Sequence, residues 1–220
     1  MAGSGSDHAA QQLLAATLAR LGTTQSLRRH SYVYTPNQPA HALYLLQAGQ
    51  VSLQMHSSEG RVLTIRVVEP GQIFGHGALD GGEHYDTFAQ ALQPVRLVAV
   101  PRAEVLEAIA ATPGVGAALI EQLGQHRLTV SRRLDEVAFK SVPARLASVL
   151  LEMSVEQPEG PRPQQRVARR THQQLAEMVN AYRETVTKII NQFRDARLLD
   201  VDRSGITLLN PSRLRELSQS

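Results

Sequence analysis

The sequence predicts an α+β protein: an N-terminal antiparallel β-roll of the jelly-roll kind, one long helix, and a C-terminal winged helix-turn-helix. Three observations carry that reading. From residue 28 to residue 100, short runs of β-branched and aromatic residues are separated by glycine turns recurring about every eleven residues. A continuous helical pattern then runs from Val115 to Phe139. Finally, two amphipathic helical patterns between Thr171 and Leu198 are separated by a tight break at Asn180.

Composition sets the frame. A chain of 220 residues suits one large or two small domains, and 42% hydrophobic residues can supply a core. No apolar run reaches the roughly 18 residues of a membrane span. MAGSGSDHAAQQLLAA has no basic segment ahead of an apolar one, so it does not read as a secretory signal, and a cytoplasmic location is expected. There are no cysteines, which excludes disulfides, thiolate catalysis, thiolate zinc sites and cysteine-held iron–sulfur clusters. Charge is segregated. Residues 162–220 carry 11 Lys and Arg against 6 Asp and Glu, whereas residues 1–161 carry 12 against 14. The C-terminal part is therefore the one suited to phosphate.

Taken in order, residues 1–10 read as a flexible leader, and residues 11–21, QQLLAATLARL, as a short amphipathic helix. Strand-like runs follow at 31–34, 42–46, 51–56, 62–68 and 95–100, punctuated by Gly49, Gly60, Gly71 and the Gly81-Gly82 pair. A short helix spans 102–111. In the long helix, Ile120, Leu123, Val130, Leu134 and Val137 step by three, seven, four and three residues, a heptad seam interrupted by Arg127. Such a seam must be buried, on the roll or against a second copy. Ser141-Val142-Pro143 breaks the helix and reads as a hinge between domains. The expected division is a roll over 1–114, the long helix and hinge over 115–140, and a winged helix-turn-helix domain over 141–220. Residues 144–153 form a further helix, and 157–165 a surface loop. LLDVDRSGITLLN is a hairpin, the wing, with Leu199 and Val201 opposite Ile206 and Leu208 across the turn Asp202–Gly205. Pro211–Leu217 is a short tail helix.

The chemistry lies in the two-helix stretch. Thr171 is a good N-cap, and Gln174 completes a capping-box pattern. Asn180 tolerates the left-handed backbone that the break requires. In the second helix Val186, Ile189, Ile190 and Phe193 share one face. Arg183, Glu184, Thr187 and Lys188 lie on the other. Arg183 can pair with guanine O6 and N7, Glu184 can accept from cytosine N4, and Lys188 can reach guanine or phosphate. Phosphate repels a carboxylate, so Glu184 among basic residues points to base readout. Thr171, His172, Gln173, Asn180, Tyr182 and Thr187 are candidates for phosphate positioning. A helical hairpin with solvated charges is the bland alternative.

RETVTKII resembles the recognition helix of the CRP/FNR family of bacterial transcription regulators, most closely its cAMP receptor protein branch. The family pattern is Arg-Glu-Thr-Val-x-Arg, and the chain has Arg183, Glu184, Thr185, Val186, Thr187 and Lys188. HALYLLQAGQVSLQ and VVEPGQIFGHGAL resemble the family's cyclic-nucleotide-binding roll, with Gly49 and Gly71 at its structural glycines. Asn180 departs from a glycine at the turn. Tyr182 departs from a serine-like cap, at a cost of about 1 kcal/mol. The resemblance implies a homodimer paired through Ile120, Leu123, Val130, Leu134 and Val137. It also implies a palindromic double-stranded DNA site with TGTGA-like halves, an activator role, and contact with RNA polymerase, for which the 157–165 loop is one place.

In cAMP-binding members a Gly-Glu-x-x-Leu turn and an Arg-Ser pair hold the ribose and the phosphate. The aligned residues here are Gly75, His76, Gly77, Ala78 and Leu79, with Tyr85-Asp86 at the Arg-Ser pair and Val130 and Ser131 where the adenine would meet the long helix. A carboxylate repels a phosphate instead of binding it. The sequence therefore predicts a degenerate effector pocket formed by Gly75, His76, Tyr85, Asp86, Val130 and Ser131, no usual cAMP binding, and no cofactor. An effector other than cAMP, or haem ligated by His76, remains the alternative within the family. A metal-dependent jelly-roll enzyme is the alternative of another class. His30, His41, His56, His76 and His84 form no His-x-His pair, no P-loop or GxGxxG is present, and no catalytic or metal-ligating set is expected.

Overall fold

Helix α1 (Ser4–Leu21) precedes the strands β1 (Thr23–Leu27), β2 (Tyr32–Tyr34), β3 (Ala42–Ala48), β4 (Val51–His56), β5 (Val62–Val68), β6 (Ile73–Phe74), β7 (Phe88–Ala91) and β8 (Val95–Pro101). Helices α2 (Arg102–Ala111) and α3 (Pro113–Phe139) follow. The computed structural model describes residues 4–79, 81, 83–157 and 164–219, with side chains from residue 11 on except those of Gln157 and Gln164. The chain divides into two compact units, Met1–Met55 with Ile65–Val130, and His56–Thr64 with Ser131–Ser220.

In the first unit, alternation along the strands decides what each sheet covers. One sheet has the order β1-β8-β3-β6 and the other β2-β7-β4-β5. Along β8, Val95 and Leu97 enter the core between the sheets, whereas Val98 and Val100 face the opposite way. There they meet Leu14 and Leu18 of α1, Val105 of α2, and Val115, Ala118 and Leu119 of α3. A β-sheet with both faces covered is the arrangement expected of a roll buttressed by helices. Gly49, at φ 87°, makes the turn between β3 and β4. A Cβ there would fall 2.5 Å from the Pro94 carbonyl oxygen, so only glycine fits.

The described structure differs from the sequence reading at several places. The expected leader is helical from Ser4 onward, because α1 is docked by Leu14 and Leu18, both fully buried. Strands β1, β6 and β7 were not expected. β1 is a polar edge strand, TTQSL, held by its register with β8 from Thr23↔Ala99 to Leu27↔Val95. β6 is two residues long, and β7 is built around two alanines. None carries an alternation long enough to signal itself.

The heptad residues of α3 do not share one environment. Ile120 and Leu134 are 71% and 66% exposed. Leu123 packs half-buried on the helical core of the roll, and Val130 and Val137 are half-buried.

The second unit begins its own core at α4 (Val142–Glu152), started by Ser141, whose Oγ accepts from the Ala144 N–H, and by Pro143 in the first turn. Arg145, buried, donates to the carbonyls of Val137 and Lys140, both at 3.2 Å. It thereby satisfies end carbonyls of α3 that a helix terminus leaves open. Then come β9 (Val155–Gln157), β10 (Gln164–Ala168), α5 (His172–Val179), α6 (Arg183–Asp195), β11 (Leu199–Val201), β12 (Gly205–Leu208) and α7 (Pro211–Leu217). The hairpin register is the expected one, Leu199↔Leu208 and Val201↔Ile206. The sheet is larger than the expected two strands, with the order β11-β12-β10-β9. Both ends of the expected 157–165 loop are strand, and residues 158–163 lie outside the described residues. The buried Val167 is the one apolar anchor of β10, too little to reveal a strand among QQRVARR.

Leu18→Ala should lower unfolding stability by about 2–5 kcal/mol in chemical denaturation, as for other buried leucines. A loss under about 1 kcal/mol would mean that α1 is not docked as described.

Candidate nucleic-acid interface

Local chemistry sets the helix-turn-helix. Thr171 N-caps α5, its Oγ1 accepting from the Gln174 N–H at 3.1 Å while the Gln174 side chain accepts from the Thr171 N–H at 2.9 Å. The capping box is complete. Asn180 ends α5 at φ 50° and ψ 56°, the left-handed conformation that turns the chain. Tyr182 N-caps α6 with no side-chain hydrogen bond to the helix. Tyr182 is 60% exposed.

Helix α6 buries Val186, Ile189, Ile190 and Phe193. Helical geometry then puts Arg183, Glu184 and Lys188 on the outward face, and all three are exposed. Among the described residues none of the three is drawn into an ion pair with another side chain. Their charges face solvent.

The two helices are pinned together where they meet. Thr187 Oγ1 lies 2.8 Å from His172 Nδ1 and donates to the Arg183 carbonyl at 2.9 Å. A hydroxyl has one hydrogen, so the imidazole must donate, and His172 carries its proton on Nδ1. The Thr187 hydroxyl is thus engaged within the protein, and Gln173 donates to Glu177 at 2.9 Å. Of the other residues expected to position phosphates, Thr171 caps the start of α5, Asn180 its end, and Tyr182 the start of α6.

Two features of the site escaped the sequence. The wing turn is organised by Asp202, whose Oδ1 accepts from the Ser204 N–H, the Ser204 hydroxyl and the Gly205 N–H at 2.7, 2.6 and 3.0 Å. Its Oδ2 pairs with the Arg166 guanidinium of β10. These donors hold the carboxyl well below the usual carboxylate range. Gly205 is required beside it, because a Cβ would fall 2.2 Å from the Val167 carbonyl oxygen. A cleft of about 460 Å³ opens between the wing and the start of α5.

In the roll, Gly75 stands at φ 82° and starts a 3-10 turn, His76–Ala78. The aligned Tyr85-Asp86 pair splits. Tyr85 is 4% exposed, stacks on Tyr34 with ring centroids 3.8 Å apart, and donates from its hydroxyl to the Ala42 carbonyl at 2.8 Å. Asp86 is exposed. His76 stacks on His126 of α3, ring centroids 5.0 Å apart. His76 Nε2 and His126 Nδ1 are buried and lack partners among the described residues. Val130 is half-buried in this unit, and Ser131 is exposed in the other. Burial, then the facing His126, then Arg66, push His76 down to about 3. His126 is also lowered, by burial first and then by Arg66, with Asp86 opposing.

Residues 144–217 match the Crp-like helix-turn-helix domain, and residues 24–112 match the cyclic nucleotide-binding domain. The transcriptional regulator SdrP of Thermus thermophilus is 33% identical over 183 residues, spanning 83% of this chain and 86% of that protein. The chain belongs to the CRP/FNR family of transcription regulators. A global nitrogen regulator of Synechocystis sp. is 27% identical over 215 residues, 92% of this chain and 94% of its own length. A crystal structure of a CRP/FNR-family transcriptional regulator from Thermus thermophilus superposes with a TM-score of 0.70 at 29% identity, over 90% of this chain and 99% of that one. CRP/FNR members are transcription regulators and not enzymes, and the helix-turn-helix is a DNA-binding one. Among the described residues no helix is long and apolar enough to cross a membrane.

The histidine pair generates a pH dependence. A folded His76 lowered from 6.5 to about 3 refuses a proton that the unfolded chain accepts. Stability is therefore full above about pH 6.5 and falls as the pH drops. Between about pH 6.5 and 5, above the carboxylate range, the melting temperature should decline. His76→Phe keeps a ring against His126 and should flatten the decline. An unchanged decline would place the acid sensitivity elsewhere.

Proposed function

We propose that the protein is a homodimeric transcription activator that reads a palindromic, TGTGA-like site and is competent without cAMP. The observation that carries the reading is the outward, unpaired set Arg183, Glu184 and Lys188 on a helix whose opposite face is buried. Arg183 and Lys188 offer donors to guanine, and Glu184 offers an acceptor to cytosine. Thr171, His172, Asn180 and Tyr182 position the backbone phosphates around them, whereas the Thr187 hydroxyl and the Gln173 amide, expected in the same role, are held by His172, Arg183 and Glu177.

In this reading residues 1–114 are the sensor-derived roll, 115–140 the pairing helix and hinge, and 141–220 the DNA-binding domain. Pairing uses the seam Ile120, Leu123, Val130, Leu134 and Val137, and the exposure of Ile120 and Leu134 supports it. Large aliphatic side chains left in water along a heptad seam gain most by meeting a second copy. A two-fold dimer in turn suits a two-fold site with half-sites one helical turn apart. Contact with RNA polymerase through the 157–165 region follows the family resemblance.

Independence from cAMP rests on the roll. Where cAMP-binding relatives place an arginine for the phosphate, Tyr85 turns inward as part of the core and Asp86 presents a carboxylate. A second reading, an effector other than cAMP or a haem at His76, draws on the unpartnered His76 and His126 nitrogens. A Soret band on haem addition would mark the haem form.

Arg183→Ala should weaken binding to the palindrome by about 1–3 kcal/mol in a mobility-shift titration and relax one base position. Equal weakening on scrambled duplex would make Arg183 a phosphate contact instead. Calorimetric titration with cAMP should give no heat of binding at micromolar concentration, and saturable micromolar binding would overturn ligand-free competence.

A further inference from the structure

Arg127 of α3 has no role in the reading above. It stands seven residues after Ile120 and seven before Leu134, on the same line of the heptad seam. Its two neighbours on that line are large aliphatics, 71% and 66% exposed, the side chains with most to gain from a second copy. Between them the chain places a guanidinium, itself exposed. Helical neighbours three and four residues away could neutralise it, but those positions hold Leu123, Gly124, Val130 and Ser131. The nearest carboxylates along α3 are Glu121, six residues before it, and Asp135, eight after. Each is more than about one and a half turns of helix away. Among the described residues Arg127 is in no ion pair, whereas Arg133 is held by Glu136 at 2.8 Å.

Pairing turns this lone charge into a site. Both DNA-binding domains follow the C-terminal end of α3, so two copies on one duplex set their long helices parallel. Each residue of the line then meets its own counterpart, and Arg127 meets a second Arg127 with an aliphatic layer on either side. The residues that pack beside such a position in a parallel pair are the counterparts of Leu123, His126 and Val130, none of them acidic. A guanidinium does not escape by losing its proton, and two like charges in a partly dry seam repel. We propose that the paired Arg127 guanidiniums bind a tetrahedral divalent oxyanion, of the phosphate or sulfate kind, on the two-fold axis of the dimer, and that pairing is thereby anion-dependent. This site rests on the homodimer proposed above and adds a ligand to it. Charge and symmetry both select the class. Two guanidiniums carry two positive charges, which a divalent anion cancels and chloride does not. Each guanidinium offers a fork of parallel N–H donors to two oxygens of one group. A tetrahedral oxyanion has a two-fold axis that divides its four oxygens into two pairs, one for each fork. In a single chain the site is half made, and Arg127 is a solvated surface charge.

The test is sedimentation equilibrium of the full-length protein, wild type and Arg127→Leu, in chloride, in inorganic phosphate and in sulfate at one ionic strength and pH. Calorimetric titration with each anion accompanies it. Wild type should dimerise about tenfold more tightly when the anion stands at about ten times its own dissociation constant. Arg127→Leu completes an aliphatic line, so it should dimerise tightly in chloride and gain nothing from either anion. The binding heat lost in that variant should correspond to one anion per two chains. A gain with phosphate but not sulfate, or the reverse, would name the ligand. A wild-type dimer constant equal in the three buffers, an equal gain in Arg127→Leu, or one anion lost per chain would overturn the anion site and leave pairing through the seam standing. Wild type and Arg127→Leu that both stayed single chains in every buffer would overturn the pairing and the site together.

Discussion

The burial of one stripe of α6 is the constraint on which the site depends. Val186, Ile189, Ile190 and Phe193 must leave water, and together they are worth several kcal/mol of transfer free energy. A thirteen-residue helix with a tyrosine cap would be marginal alone. Docking that stripe both forms the helix and sets its rotation. Once the rotation is set, Arg183, Glu184 and Lys188 have one direction to point. The capping box of α5, the left-handed Asn180 and the His172–Thr187 link serve the same end, since they fix where α6 begins relative to α5. Recognition chemistry here is a by-product of core packing on the opposite face.

The roll follows related logic with a different outcome. Its interior is closed by aromatic rings: Tyr34 stacks on Tyr85, and Tyr44 on Phe74. Burial raises Tyr34 and Tyr44 well above the ordinary phenol range, so both remain neutral at any working pH. His76 of the short turn after β6 stacks on His126 of the long helix, and burial disfavours the protonated form of both imidazoles. A contact between turn and helix is thus made from side chains of the protein itself.

Local signals were legible in the sequence and long-range ones were not. Thr171 with Gln174, Asn180, and the Leu199–Leu208 register could be read because each depends on residues a few positions apart. The cap deficit of Tyr182 was visible for the same reason. β1 was hidden because TTQSL has no apolar pattern, and it becomes a strand only when β8 supplies partners. β10 was hidden because a single buried valine sits among charged residues. His126 gave no sign of facing His76, since one lies on α3 and the other in a turn of the roll. The Asp202–Arg166 pair joins residues 36 apart. Such pairings exist only once the topology has brought two elements together. The helical stretch from Ser4 was misread because composition reports propensity, while Leu14 and Leu18 report docking only after the roll is known.

The central claim is that an outward face fixed by packing reads DNA as a symmetric pair without a ligand. A hydroxyl-radical footprint of the purified, ligand-free protein on a two-fold-symmetric duplex tests it most directly. The account predicts two equal protected segments centred about one helical turn, roughly 34 Å, apart. A single protected segment, protection spread evenly along the duplex, or protection that appears only on adding a small molecule would contradict it.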